Sequence, residues 1–327
     1  MRRIGLAVIL AFSLLAPLAA EAQQVKIGVL CGGFGCPFSG PQEYSRPVID
    51  ALAHVGLIQG RTLGWDMASI TSSEDRLTIE APKLVSRHPT LILVWGTVAA
   101  AQAAKDATRT IPIVLMAVPD AVDNGLVDSL ARPGRNITGM SVPTIDLIIK
   151  QLQVLKEINT RLKTIVVIHG DLNRGDRQTM DRLRGTAASL RLDGGFSVTD
   201  ASNVQRALAA APPGSSAVVA IGNVSHNVHH QLREGALERK LPLVMPWRAW
   251  QGGGFSGTLL MTYAPRFSTV AERTAALIDR IVKGARPEDL PVEEPTSYEL
   301  VIDGVMAKAP GLTIPPAVRL RADEIIE

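Results

Sequence analysis

Two polar residues stand where predicted strands end, in positions suited to holding a small charged molecule. Thr97 follows the apolar strand Leu91–Trp95 and opens an alanine-rich helix, so the free N–H groups of that helix start could bind a carboxylate. Asp120 follows the apolar strand Ile113–Val118 and could accept hydrogen bonds from an ammonium group. The alternative is that Thr97 only caps its own helix and that Asp120 only caps the following turn. For Thr97 the two interpretations are compatible.

Further candidate binding residues follow other predicted strands. Ser39 lies in the glycine-rich loop after the first strand, and Asn223 follows the strand Ala217–Ile221. Trp247 and Tyr263 follow two later strands. Aromatic residues make up only 4% of the chain, so two of them near strand ends point to stacking on a flat ligand. Trp247 could instead pack beneath its own loop.

Metal binding and covalent catalysis find little support in the sequence. His226 and His230 would face the same way on a helix, four residues apart, as some metal ligands do. No acidic residue is adjacent to them, so a solvent-facing polar helix start is favoured. The chain has no phosphate-binding glycine loop and no G-x-S-x-G nucleophile motif. We therefore predict no enzyme activity, no cofactor and no bound metal.

Strands alternate with helices from the first strand, Val25–Leu30, onward. The turn Arg132–Gly134 separates this series from a second strand–helix series of similar size. This alternation predicts an α/β fold with two parallel sheets, each covered by helices on both faces. Because the carboxyl ends of parallel strands share one edge, where open α/β folds bind ligands, we expect the candidate residues to meet at a crevice.

The first residues have the composition of an export signal. Two arginines precede an apolar run from Ile4 to Ala20, and Ala20-Glu21-Ala22 has small residues at the positions that a signal peptidase reads. We expect a cleaved signal at residues 1–22, without lipid attachment, because no cysteine follows the apolar run. The alternative, a membrane anchor, is disfavoured because the run is shorter than the roughly 20 residues that a span needs.

Charge and cysteine content restrict the possible partners. The net charge of the whole chain is +3, and so small an excess indicates neither nucleic acid nor an anionic membrane as a partner. Cys31 and Cys36 are the two cysteines of the chain. In an exported protein their close spacing favours a disulfide that shapes the loop after the first strand, with two free thiols as the alternative.

Several segments resemble one family closely. They are IPIV at 111–114, GLVDSLARPGRNITG at 125–139, LPVEEPTSYE at 290–299 and GLTIPP at 311–316. These segments are similar to those of ABC-transporter substrate-binding proteins of the tryptophan/tyrosine type, and the resemblance extends over nearly the whole mature chain. The chain departs from the family pattern at Pro119 and Ala121, at Arg135 in place of a glycine, and around Tyr263, where Ala264 and Arg266 replace a glycine and an acidic residue.

The resemblance implies a type I periplasmic-binding fold, in which two lobes joined by three crossovers enclose a hinged cleft. We expect crossovers near Gly139–Pro143, Gly252–Thr258 and Pro287–Pro295. The expected lobes are residues 23–141 with 258–287 and about 296–327, and residues 142–257. The tail from Tyr298 is expected to return to the first lobe as a strand and a small helix.

The function implied by the resemblance is solute capture in the periplasm. A small-molecule ligand, an amino acid (aromatic in the first instance) or a related organic acid, would be held between the lobes and delivered to an ABC permease with its ATPase subunit. A monomer is expected. Two alternatives remain open at this point: an exported α/β enzyme acting in the same cleft, and a ligand sensor for a membrane receptor.

Overall fold

The computed structural model describes residues 24–31, 42–68, 74–169, 174–192, 195–212, 214–221, 226–244, 260–308 and 311–327. The predicted export signal at residues 1–22 lies outside these ranges. So do three of the predicted binding residues, Ser39, Asn223 and Trp247.

The elements of the first half, in chain order, are β1 Val25–Cys31, α1 Gln42–His54, β2 Leu63–Met67, α2 Glu74–Val85, β3 Leu91–Trp95, α3 Val98–Ala107, β4 Ile113–Pro119, β5 Ile137–Val142, α4 Thr144–Ile158 and β6 Thr164–His169. The remainder comprises α5 Arg174–Ser189, β7 Gly195–Asp200, a 3-10 turn Ala201–Asn203, α6 Val204–Ala210, β8 Ser216–Ile221, α7 His226–Glu238, β9 Leu243–Val244, β10 Met261–Pro265, α8 Phe267–Val282, a 3-10 turn Pro287–Asp289, β11 Val292–Glu293, β12 Tyr298–Asp303, α9 Gly304–Lys308, α10 Pro316–Arg319 and β13 Glu324–Ile326.

These strands form two sheets. The first has the order β11-β5-β4-β3-β1-β2 within the described residues, and every pairing in it is parallel. The second has the order β13-β12-β10-β9-β8-β6-β7 and is parallel except where β12 runs antiparallel to β10. The predicted α/β architecture with one sheet in each lobe is confirmed, although the second sheet contains one antiparallel strand, β12.

Helices cover both faces of the first sheet, as the fully apolar strands require. All five residues of β3 are buried, which fits a central strand that meets helices on both sides. On one face Leu52 of α1 and Leu277 of α8 join the core. On the other, Leu84 of α2 and Ala104 of α3 do so, and the small alanines let α3 lie close to the sheet.

The chain passes between the two sheets three times. It leaves β5 for α4 at Pro143, leaves β10 for α8 at Arg266, and leaves β11 for β12 between Glu293 and Tyr298. Helix α8 contributes Val270 and Leu277 to the core of the first sheet, although the strand before it belongs to the second.

Two strands therefore differ from the sequence expectation. β12 was predicted to join the first lobe, but it pairs with β10 in the second sheet, and that prediction is wrong. The predicted strand Thr258–Thr262 is instead Met261–Pro265, so Tyr263 lies within it rather than after it. The placement of β12 could not be predicted because an apolar strand pattern indicates that a strand is buried, but not which sheet the strand joins.

Cys31, at the end of β1, is disulfide-bonded. The other cysteine of the sequence is Cys36, which lies outside the described residues.

Among the helices that the structure describes, none combines the length and the apolar composition needed to cross a membrane.

Candidate functional site

The ends of the parallel strands place the candidate residues at two facing edges. In the first sheet β3 ends at Trp95 and β4 at Pro119. In the second sheet β10 ends at Pro265, which pairs with Tyr298 at the start of antiparallel β12. All three passages between the sheets run at these edges, so each edge contributes side chains to the region where the lobes meet.

Helix α3 begins at this edge with its amino end accessible. Thr97 is the N-cap, with φ −120° and ψ 142°, and its Oγ1 accepts a hydrogen bond of 3.2 Å from the N–H of Ala100. The residues around this start, Gly96 to Ala99, are only half-buried. No acceptor for the N–H groups of Val98 and Ala99 lies among the described residues. Thr97 therefore caps its helix, and the uncovered N–H groups beside it retain the positive potential that suits a carboxylate.

A bulge in β4 directs Asp120 toward the first passage between the lobes. The register of β4 against β5 shifts between Leu115 and Val118, and buried Ala117 has a positive φ of 57°. The bulge depends on Gly139 of β5, where φ is 131° and a Cβ atom would lie 2.2 Å from the carbonyl oxygen of Leu115. Such bulges re-aim side chains next to functional sites.

Asp120 itself joins the two lobes. Its backbone has a φ of 42°, a conformation that Asp tolerates better than most residues. Its N–H donates to the carbonyl of Val142 at 3.0 Å, and its Oδ1 accepts from the N–H of Thr144 at 3.1 Å. The carboxylate thus caps the start of α4, 24 residues away, rather than only its own turn.

Four aromatic rings lie at the same two edges. Tyr263 and Tyr298 stack with ring centroids 5.5 Å apart and planes 19° apart. Trp95 and Phe267 meet edge to face at 5.3 Å. Tyr263 packs against the cores of both sheets, and its carbonyl accepts a hydrogen bond of 3.1 Å from the buried Gln151 Nε2. The rings therefore occupy the border between the lobes on a supported strand.

Two carboxylates give this border a negative potential. Burial raises the pKa of Glu294, and the charge of Asp146 raises it further. Burial also raises the pKa of Tyr298, and electrostatic interactions with Glu294, Tyr263 and Asp146 raise it further. A charge that contributes to the shift of another group in this way lies close to that group. Asp146 belongs to the first turn of α4 and is paired with Arg182, so most of the negative potential at this border comes from Glu294 in the third passage.

The predicted residues are thus distributed as follows. Thr97 and Asp120 lie at the edge of the first sheet and Tyr263 near that of the second. The side chains of His226 and His230 lie outside the described part of the chain, as do Ser39, Asn223 and Trp247. Among the residues that the structure does describe, no group of three or more His, Cys, Asp and Glu residues is placed to hold a metal ion.

Sequence reasoning missed Tyr298 and Glu294 as members of this border. Both belong to the segment LPVEEPTSYE, which carries part of the family resemblance. An aromatic and an acidic residue in a proline-containing crossover would have been the signal.

Known proteins with the same features were found by sequence and by structure. A curated relative, a tyrosine-binding protein of Clostridioides difficile, is 27% identical over 266 residues, which are 80% of this chain and 74% of the relative. A conserved domain protein from Vibrio cholerae is 25% identical, with a TM-score of 0.79 over 93% of this chain and 100% of that one. An ABC domain from Streptococcus pneumoniae in complex with L-Trp is 21% identical, with a TM-score of 0.76 over the same shares.

These likenesses confirm the two-lobed α/β fold of type I periplasmic binding proteins. The family model described as ABC transporter substrate binding protein matches residues 39–326, which is most of the chain. The protein therefore belongs to the ABC transporter substrate-binding protein family.

Proposed function

We propose that this protein is the periplasmic solute-binding component of an ABC importer and that its ligand is an amino acid with an aromatic side chain. The observation that carries the proposal is the presence of three complementary features at one border between lobes. They are the accessible start of α3 at Thr97, the negative potential of Glu294 and Asp146, and the stacked rings of Tyr263 and Tyr298.

Each feature matches one part of such a ligand. The N–H groups of α3 would bind the α-carboxylate. The carboxylate of Glu294 would attract the α-ammonium group, and an ammonium placed there would relieve its repulsion from Asp146. The tyrosine rings would stack on an aromatic side chain. A related aromatic acid without an ammonium group would use only two of the three features and should bind more weakly.

The three passages at Pro143, Arg266 and 294–297 would act as the hinge. A ligand held by groups from both lobes stabilises the closed form, because it contacts both only when they approach. The closed form would then dock on a permease with its ATPase subunit. We place lobe 1 at residues 23–142 with 266–293, and lobe 2 at 144–265 with 298–327. We also propose that residues 1–22 direct export and are removed.

The names of two relatives support the class of ligand. One is a tyrosine-binding protein and another was solved with L-Trp. The departure at Arg266 lies at the second passage, whereas Ala264 lies in β10 beside Tyr263. Both leave Tyr263 itself in place. The change at Arg266 therefore affects the hinge more directly than the rings.

Thermal unfolding of the purified protein with each amino acid tests the proposal. A ligand at about 100 times its Kd stabilises the native state by about 2.7 kcal/mol, so Tyr, Trp or Phe should raise the melting temperature, whereas Ala and Ser should not. The double variant Tyr263→Ala/Tyr298→Ala should lose most of the shift. Absence of a shift with every aromatic amino acid would disprove the proposal, and conversion of a bound compound would indicate the enzyme alternative.

A further inference from the structure

A second cavity lies at the opposite edge of the first sheet. Its volume is about 400 Å³, and it is lined by Arg109, Arg135, Asn136, Arg286, Pro287 and Glu288. These residues come just before β4, β5 and β11, which are parallel neighbours. The cavity therefore lies at the amino edge, separated from the border between the lobes by the length of six-residue β5, or about 20 Å.

Hydrogen bonds hold the three segments of this cavity together. Asn136 Nδ2 donates to the carbonyl of Ile111 at 2.7 Å and to that of Thr108 at 3.3 Å. Thr138 Oγ1 donates to the carbonyls of Leu290 and Pro291 at 3.0 and 3.1 Å. The backbone that carries the arginines is thus fixed before any ligand arrives, which lowers the entropic cost of binding.

Two of the three arginines have no acidic partner among the residues that the structure describes. Arg286 is paired with both Glu288 at 2.9 Å and Asp289 at 2.8 Å, so these three side chains combine one positive and two negative charges. No ion pair of Arg109 or Arg135 is present within the described ranges. Both side chains are exposed, so their guanidinium groups are accessible to a ligand that enters the cavity.

Arg135 stands at a position where the family pattern has a glycine. Its backbone is not in the left-handed region, whereas that of Gly134 before it is, with a φ of 87°. The turn therefore requires glycine at 134 only, and Arg135 adds a cation without backbone strain. The excess positive charge of the cavity is a property of this chain.

We propose that this cavity binds an oxyanion of the phosphate class, either free or as a phospholipid headgroup. Guanidinium groups match phosphate oxygens with paired N–H donors. Arg109, Arg135 and Arg286 outnumber the carboxylates Glu288 and Asp289, so the cavity and its rim keep a net positive charge. The volume leaves room for more than one phosphoryl group. The site is independent of the amino-acid site proposed above, because it lies on the other edge of the sheet.

Titration calorimetry at low salt with inorganic phosphate and pyrophosphate tests the free form. Sedimentation with vesicles of phosphatidylglycerol in phosphatidylcholine, compared with phosphatidylcholine alone, tests the headgroup. Binding in either arm supports the site and identifies the source. Binding in neither arm overturns the proposal.

Substitutions locate the binding. Arg109→Gln and Arg135→Gln should each weaken binding about tenfold, as expected for loss of one charge-assisted contact. The matched control is Arg132→Gln, which removes the same charge from an exposed residue three positions before Arg135 that does not line the cavity. Equal weakening by the control would show nonspecific charge attraction and overturn the proposal. All three variants should keep the wild-type melting temperature.

Discussion

At the residue scale, the border between the lobes holds two groups, Glu294 and Tyr298, whose ionisation is disfavoured. Glu294 lies near Asp146, and the charges of both oppose the ionisation of Tyr298. Perturbed groups of this kind concentrate at functional sites. The disfavoured charge of Glu294 is compatible with a role in attracting a cation.

The raised pKa of Glu294 predicts a pH dependence of stability. A carboxyl group whose pKa is higher in the folded state binds more protons there than in the unfolded state. Its contribution therefore opposes folding increasingly as the pH rises above 4.5, the ordinary value. In Glu294→Gln this contribution is absent. The gain in the free energy of unfolding of the variant over the wild type should therefore be larger at pH 7 than at pH 4.

Urea unfolding of both proteins across this pH range measures the difference. Glu272→Gln is the matched control, because it removes the same charge from an exposed position on α8 and should preserve the wild-type profile. A profile of Glu294→Gln that superimposes on that of the wild type would contradict the role assigned to burial.

At the element scale, sequence patterns predicted the elements well where burial alone determines them. The strand Leu91–Trp95 has the predicted bounds, and its five residues are buried as expected for a central parallel strand. The role of Asp120 could not be predicted in the same way. Its carboxylate caps α4, whose start is 24 residues away, and a hydrogen bond of that range leaves no local pattern.

Capping of α4 by Asp120 predicts distinct effects of two substitutions. Asp120→Ala removes the acceptor for the N–H of Thr144 and should cost about 1 kcal/mol of stability, as other lost caps do. Asp120→Asn keeps an oxygen acceptor without the charge, so it should retain most of the stability. Chemical denaturation of the three proteins makes this comparison.

The same pair of variants tests Asp120 as a ligand residue. If its charge also contacts the ligand ammonium, Asp120→Asn will be stable but will bind the amino acid more weakly. If it serves only as a cap, the affinity of Asp120→Asn will equal that of the wild type. Equal instability of the Ala and Asn variants would contradict the capping role itself.

At the scale of the whole molecule, the number of passages between lobes was predicted but their positions were only partly so. The first passage, at Pro143, falls in the predicted range, whereas the second, at Arg266, lies beyond the predicted Gly252–Thr258. The reason is that β10 and β12 complete the second sheet as an antiparallel pair. Pairing between segments more than 30 residues apart is determined by tertiary contacts, which local strand propensity does not predict.

The position of these passages has a consequence for closure. Arg266 lies at the second passage and pairs with Glu299 at 3.8 Å and Asp323 at 3.4 Å, both in the strand region of the second lobe. The basic residue therefore ties the start of α8 to the opposite lobe. Because these pairs are half-exposed they contribute little to stability, and they can break or form as the lobes move.

Closure on the proposed ligand predicts a smaller molecule in solution. A single compact body of about 300 residues has a radius of gyration of about 19 Å, and an open two-lobed protein should exceed this value. The aromatic amino acid identified by thermal unfolding should reduce the radius measured by small-angle X-ray scattering toward the compact limit. The reduction follows because helix α3 packs on the first sheet whereas the tyrosine pair lies on strands of the second, so a ligand that contacts both should hold the lobes together.

The double variant Tyr263→Ala/Tyr298→Ala serves as the control for this measurement. It should have the wild-type radius without ligand. It should keep that radius when the amino acid is added, because the tyrosine rings that would contact the ligand from the second lobe are absent. A wild-type protein that binds the amino acid without any change in radius would show that one lobe suffices for binding. In that case the ligand site would have to lie within a single lobe, and the border described by Thr97, Glu294 and Tyr298 would have another role.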